Sequence, residues 1–290
     1  MKLRSWSLVL LLAGGCSGAG HGSAGGNSAA RTPARPAVPA VSAVPAVPTD
    51  SEIPSGPLGR SIRRGLALVT ATRDSLPGHV GSALRCVSCH LDEGRRAPAS
   101  WVGVLGRFPQ YRSRSGTVET LENRINGCFT RSLNGTALPV DGPDMRDIVS
   151  YMAFLSRGVP VGPPAPSSDA RWTSLTPDPA AGARVFAATC VRCHGADGGG
   201  TVTAPPLWGP RSFNIGAGMA RARTAAAFIR ANMPFDRAVI LTDQQAIDVA
   251  AFVDGHHRPD FAGKENDWPN GDAPPDAAYS TRARHPRARP

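Results

Sequence analysis

The sequence predicts an all-α fold of two tandem helical units with long loops, and three observations carry that expectation. The pattern Cys-x-x-Cys-His occurs twice, at Cys86-Val87-Ser88-Cys89-His90 and Cys190-Val191-Arg192-Cys193-His194, 104 positions apart (190 minus 86). A helical apolar period precedes each copy and another follows it downstream, which reads as an internal repeat. The 32 Gly and 28 Pro among 290 residues exceed the ordinary share without reaching low complexity, so short helices with long connections are expected. With 32 Lys+Arg against 22 Asp+Glu, the charge leaves nucleic acid, anionic surfaces and anionic substrates open as partners. No stretch after the first dozen residues is apolar enough to span a bilayer.

Taken in order, residues 1–15 read as an export signal. Lys2 and Arg4 form a charged start, Leu8 to Leu12 a short apolar core, and Ala13-Gly14-Gly15-Cys16 a small-residue cleavage site. Leu12-Ala13-Gly14-Gly15-Cys16 resembles a bacterial lipoprotein signal, which makes Cys16 the expected lipid anchor. Ser17 after it, rather than Asp, points to the outer membrane, on the periplasmic side of a bacterial envelope. Residues 16–58 form a tether, rich in Gly, Ser and Ala and then in Pro, Ala and Val, with Ala-Val-Pro steps over residues 37–48. Such a stretch cannot bury a core and is expected to be flexible, then polyproline-like.

The first helical unit covers residues 59–160, with helices at about Gly59 to Thr70 and Pro143 to Ser156. A Pro-rich linker, 161–175, leads to the second unit, 176–260, with helices at about Pro179 to Thr189 and Thr242 to His256. Ile148, Met152 and Leu155 in one closing helix, and Ile247, Val249, Ala251 and Phe252 in the other, are the predicted inward stripes. The extension 261–290 ends in Arg282, Arg284, Arg287 and Arg289, a solvated basic end.

In each pentapeptide two thiols are spaced to bond the two vinyl groups of one haem, and the histidine that follows sits beneath the iron. Cys86, Cys89, Cys190 and Cys193 are therefore the expected attachment residues, with His90 and His194 as proximal ligands. A four-thiolate zinc site would leave both histidines unexplained. The expected cofactors are two covalently bound haem c groups, and the expected fold is two class I-like cytochrome c domains.

A sixth ligand is sought downstream of each histidine. Met233, in Asn232-Met233-Pro234-Phe235, lies 39 residues after His194 (233 minus 194) and is the expected thioether donor. It is preferred over Met219, which reads as packing, and Asn232 before it has no amine to compete for iron. In the first unit, Cys128 lies 38 residues after His90 (128 minus 90), while Met145 and Met152 fall at helical core spacing. Cys128 also has no obvious disulfide partner, so thiolate ligation is expected there, with His79 as the alternative ligand. A thiolate favours the ferric state and a thioether the ferrous, so electrons are expected to run from the first haem to the second.

Beyond these motifs, Phe108-Pro109-Gln110-Tyr111-Arg112, Leu121-Glu122-Asn123-Arg124-Ile125-Asn126-Gly127-Cys128, Pro206-Leu207-Trp208-Gly209, Ser212-Phe213-Asn214 with Gly216-Ala217-Gly218-Met219, and Trp268-Pro269 resemble the dihaem thiosulfate dehydrogenase family. The resemblance covers about residues 60–280. It implies a periplasmic enzyme joining two thiosulfates into tetrathionate and passing electrons to a c-type cytochrome or similar acceptor. It maps a His/Cys-ligated catalytic haem onto His90 and Cys128, and a second haem onto His194 and Met233. Some relatives run the reaction backwards, as tetrathionate reductases. Where a family member carries Lys before the distal Met, this chain has Asn232.

Coupling two dianions needs fixed positive charge, for which guanidinium groups are suited. Arg124 would share a helical face with Cys128, Arg112 and Arg114 sit on the preceding loop, and Arg131 and Ser132 follow. Arg124 and Arg114 rank first as substrate residues, then Ser132 and Arg112. Cys128 is expected either to react with a sulfane sulfur or to remain a spectator ligand. A non-catalytic dihaem electron carrier would need only the haem motifs, and a dihaem peroxidase would need an open iron position. Nucleic-acid binding rests on charge alone and is not expected.

Overall fold

The computed structural model describes residues 46–162 and 169–281. The export signal, Cys16, the tether up to residue 45 and the arginines from Arg282 onward lie outside the described residues.

Residues 46–58, assigned above to the tether, belong instead to the folded part. Ile53 is buried, Asp50 pairs with Arg95, and α1 (Gly56–Thr70) begins ahead of the expected start, with Pro57 in its first turn supplying a helical φ. A short turn of helix, α2 (Thr72–Ser75), leads toward the first Cys-x-x-Cys-His motif. An antiparallel hairpin follows, β1 (Gln110–Arg112) and β2 (Thr117–Glu119), pairing Gln110 with Glu119. The stretch expected to be a plain loop thus places Arg112 at a strand end and Arg114 in the turn. Then come α3 (Leu121–Gly127), a π-helical turn over Cys128–Ser132, and α4 (Pro143–Leu155).

The second lobe begins with α5 (Asp169–Trp172), within the stretch assigned to the linker, and Trp172 is buried in the second lobe's core. It continues with α6 (Pro179–Thr189), α7 (Val191–His194), α8 (Ala222–Asn232) and α9 (Asp243–Asp254). The sequence reading did not foresee α8.

In each lobe the first and last long helices cross at a glycine. On α1, a Cβ at Gly65 would lie 2.0 Å from the Asp147 carbonyl oxygen and 2.9 Å from the Tyr151 Cβ of α4. On α6, a Cβ at Gly182 would lie 2.1 Å from the Asp248 carbonyl oxygen and 2.9 Å from the Phe252 Cβ of α9. Only the missing side chain lets the backbones approach so closely. Inward of the crossings, Met145, Ile148, Met152 and Leu155 are buried in the first lobe, and Ile247 and Val249 in the second. Ala251 does not join that core; Ala246 and Ala250 do, because α9 is covered on two sides.

The lobes share an interface made by two segments of the second half. Phe213, Ala217 and Ala220 are buried in the core of the first lobe, and Met219 packs against the cores of both. The Ala83 N–H donates to the Arg211 carbonyl at 2.8 Å, and Asn214 Nδ2 donates to the Thr130 carbonyl at 2.9 Å. Residues 261–281, assigned to a C-terminal extension, return to the first lobe, where the Trp268 N–H donates to the Arg114 carbonyl at 2.7 Å.

Candidate active site

Cys128 owes its position to α3. Thr120 caps that helix: its Oγ1 accepts from the Asn123 N–H at 3.3 Å while Asn123 Oδ1 accepts from the Thr120 N–H at 3.1 Å. Leu121 and Ile125 anchor α3 to the core. Arg124 and Cys128, four residues apart, then share a face, and Arg124 Nη1 donates to Cys128 Sγ at 2.9 Å. Beyond Cys128 the chain widens into its π-helical turn, a feature that concentrates at functional sites.

His90 lies close enough to Cys128 to favour its anion. Its Nδ1 is committed to the Ala99 carbonyl at 2.6 Å, and its ring stacks on Trp101 with centroids 4.6 Å apart, so Nε2 is the nitrogen left free. Burial raises the Cys128 thiol, but the Arg124 guanidinium and the His90 imidazole outweigh it and hold the group at about 6. Burial with nothing comparable to offset it pushes Cys86 and Cys89 up to about 12. Cys128 is thus the thiol of this lobe whose surroundings favour the anion. All five described cysteines are free of disulfides.

The second lobe repeats the attachment geometry. His194 Nδ1 is held by the Pro205 carbonyl at 2.9 Å, and Phe186, Leu207, Trp208 and Phe252 pack together beside Cys190 and Val191. The residues present fit two haem c groups: paired thiols followed by an imidazole whose Nδ1 is already used, in both lobes. Met233 lies half-buried at the end of α8 and packs in neither core of its lobe, whereas Met219, Met145 and Met152 are packing residues. His79 contacts Thr136 at 3.2 Å and the edge of Phe129.

Around Cys128 lies a group of arginines. The Arg112 guanidinium makes no hydrogen bond or ion pair with another described residue, and burial together with the nearby Arg124 holds it below the usual guanidinium range. Burial pushes Arg114 down to about 10, against the opposing influence of Tyr279; its Nη1 donates to the Gly216 carbonyl and its guanidinium lies 4.6 Å from the Trp268 ring. Ser132 is half-buried at the end of the π-helical turn. Arg131 is committed elsewhere, in a two-pronged pair with Asp267 at 2.7 and 2.8 Å, with its guanidinium 4.0 Å from the Phe261 ring. Sequence reading missed Arg221, which neighbours both Arg112 and Arg114, and the clamp formed by Asp267 and Tyr279. Gly216-Ala217-Gly218-Met219 stood out in the sequence, but nothing local marked the arginine two residues later.

Residues 79–161 match the SoxA/TsdA cytochrome c domain model, and residues 177–253 match the model of cbb3-type cytochrome c oxidase subunit III. The chain is 48% identical over 222 residues to a thiosulfate dehydrogenase of Allochromatium vinosum, covering 72% of this chain and 82% of that protein. To a thiosulfate dehydrogenase of Psychrobacter arcticus it is 44% identical over 236 residues, covering 78% of this chain and 72% of the relative. Among solved structures it is similar to the as-isolated thiosulfate dehydrogenase TsdBA of Marichromatium purpuratum, with a TM-score of 0.69 and 38% identity. That alignment covers 79% of this chain and 54% of the TsdBA chain, so this chain spans about half of the latter's length.

Proposed function

The chain belongs to the thiosulfate dehydrogenase family of dihaem cytochromes c, and from that premise we propose that it couples two thiosulfates to tetrathionate and releases two electrons to an external acceptor. The observation that carries this reading is the Cys128 sulfur, hydrogen-bonded by Arg124, held as the anion by Arg124 and His90, and within the electrostatic reach of Arg112.

In this reading His90 and Cys128 would hold the iron of the first haem, and His194 and Met233 that of the second. Two haem c groups would supply one-electron acceptor chemistry, matching the two electrons that the coupling releases. The Cys128 thiolate joins the sulfane sulfur of one thiosulfate, giving a cysteine S-thiosulfonate and two electrons, which go to the external acceptor. The second thiosulfate attacks the sulfane sulfur of that adduct, and tetrathionate leaves as the Cys128 thiolate is restored. Charge balances in both halves: three negative charges enter the first and leave as one on the adduct plus two electrons. Arg124 holds Cys128 as the anion, while Arg112 and Arg114 offset the repulsion between dianions. Ser132 offers a hydroxyl at the rim.

The acceptor in this reading is a c-type cytochrome or a similar carrier. Leu12-Ala13-Gly14-Gly15-Cys16 supports export and lipid anchoring at Cys16, on the periplasmic face of the outer membrane. Anaerobic turnover of the dihaem protein with thiosulfate and an artificial acceptor, with direct assay of tetrathionate, tests the function. One tetrathionate per two electrons is the expected result, and no tetrathionate from a protein carrying both haems would overturn it.

A further inference from the structure

Arg221 is contributed by the second lobe, yet its charge is felt at Arg112 and Arg114 of the first. It caps α8 immediately after the Gly218–Ala220 turn, and that turn packs against the π-helical turn that begins with Cys128. Arg221 Nη2 donates to Thr224 Oγ1 at 2.8 Å, while Nε is buried with no hydrogen-bond partner. Neither Arg221 nor Arg112 forms an ion pair with a described residue. The nearby carboxylate of Asp267 is taken up by Arg131, and that of Asp276 accepts from the Arg223 N–H at 3.0 Å. A guanidinium whose Nε edge is buried without a hydrogen bond, close enough to add its charge to two other arginines, is unfavourable unless an anion completes the set.

We propose that Arg221 is a substrate-binding residue that joins Arg112, Arg114 and Arg124 in holding thiosulfate, so that the second lobe closes the anion site of the first. This rests on the thiosulfate reading given above. The two dianions bring charge on sulfonate oxygens as well as on the reacting sulfurs, and a planar guanidinium with a free Nε edge suits a sulfonate. The competing anion of the same chemistry is a haem propionate, and the experiment separates the two.

Arg221→Gln and Arg221→Lys are prepared as holoproteins and checked for two haems by their spectra. KM for thiosulfate is expected to rise about tenfold or more in Arg221→Gln, with partial recovery in Arg221→Lys, while kcat changes less and both haem midpoint potentials stay at the wild-type value. Sulfate binding to the oxidised holoprotein, followed by calorimetry, is expected to weaken in parallel. An unchanged KM would overturn the proposal, as would an unchanged KM with a shifted haem potential, which would make Arg221 a propionate partner. Should the wild type form no tetrathionate but bind sulfate in an Arg221-dependent way, the anion site stands and the thiosulfate reading falls. Sulfate binding indifferent to Arg221 would sink the anion site itself.

Discussion

Burial raises a thiol's pKa, so a buried cysteine becomes anionic only if specific neighbours overcome that penalty. At Cys86 and Cys89 they do not, whereas at Cys128 Arg124 and His90 do. Cys128→Met would keep a sulfur donor for iron while removing the nucleophile. The expected result is a low-spin first haem with turnover lost, and near-normal tetrathionate formation in this variant would rule out a covalent role. Part of this was legible: the four-residue step from Arg124 to Cys128 gave their shared face. Arg112, Arg221 and Asp267 meet only in three dimensions, so neither spacing nor periodicity relates them. A second residue with a displaced titration, Asp254, stands at the end of α9. Burial pushes Asp254 up to about 7, with Arg258 opposing, and its Oδ2 has no partner. Because the folded pKa exceeds the unfolded one, folding takes up a proton here. Stability is full below the unfolded value near 3.8 and falls by as much as about 1.4 kcal/mol per pH unit as pH rises toward 7. Asp254→Asn should flatten that fall in melting temperature between pH 4 and 7. Parallel curves for variant and wild type would show that Asp254 does not set the slope.

At the scale of elements, the repeat is written in glycines as much as in haem motifs. Gly65 and Gly182 permit equivalent helix crossings, and Gly94 and Gly198, with φ of 84° and 61°, each lie against an indole, Trp101 or Trp208. The helices α1, α4, α6 and α9 were legible because their apolar residues recur at helical spacing behind a Pro start in the first three and a Thr242 cap in the last. The helix α8 was not, because its buried face is built from Ala225 and Ala226 with Phe228, and alanine gives a weak periodic signal. The β1–β2 hairpin escaped for a different reason: three-residue strands show no alternation to read. Gly182→Ala would drive a methyl group into the Asp248 carbonyl, which cannot move without displacing α9. A loss of about 1–3 kcal/mol is expected, measured by thermal unfolding, together with a fall in attachment of the second haem relative to the first. Equal loss of both haems would mean that the lobes mature as one cooperative unit.

For the whole molecule, two segments of the second half build the first lobe's site: the loop from Phe213 to Arg221 and the C-terminal stretch ending beyond Tyr279. The two tandem cytochrome c domains expected from the sequence are present, and beyond that expectation the second half contributes to the first lobe's core and to its arginine cluster. The fastening point is Asp267, whose side chain is only 6% exposed. It receives Arg131 and the Tyr279 hydroxyl and lies 3.9 Å from Arg114 Nε. Asp267→Asn keeps the shape but leaves Arg131 without its counter-charge, at about 3 kcal/mol, the low end for breaking a buried pair. That loss falls on the contact between residues 261–281 and the first lobe rather than on either haem pocket. Limited proteolysis should therefore cut within 261–281 faster than in the wild type, and KM for thiosulfate should rise because Arg114 loses its support over Trp268. Both haem spectra should stay unchanged. Unaltered cleavage and KM would mean that the apolar packing of Trp268 and Phe261 holds the clasp without the ion pair, and the site's closure would then be hydrophobic rather than electrostatic.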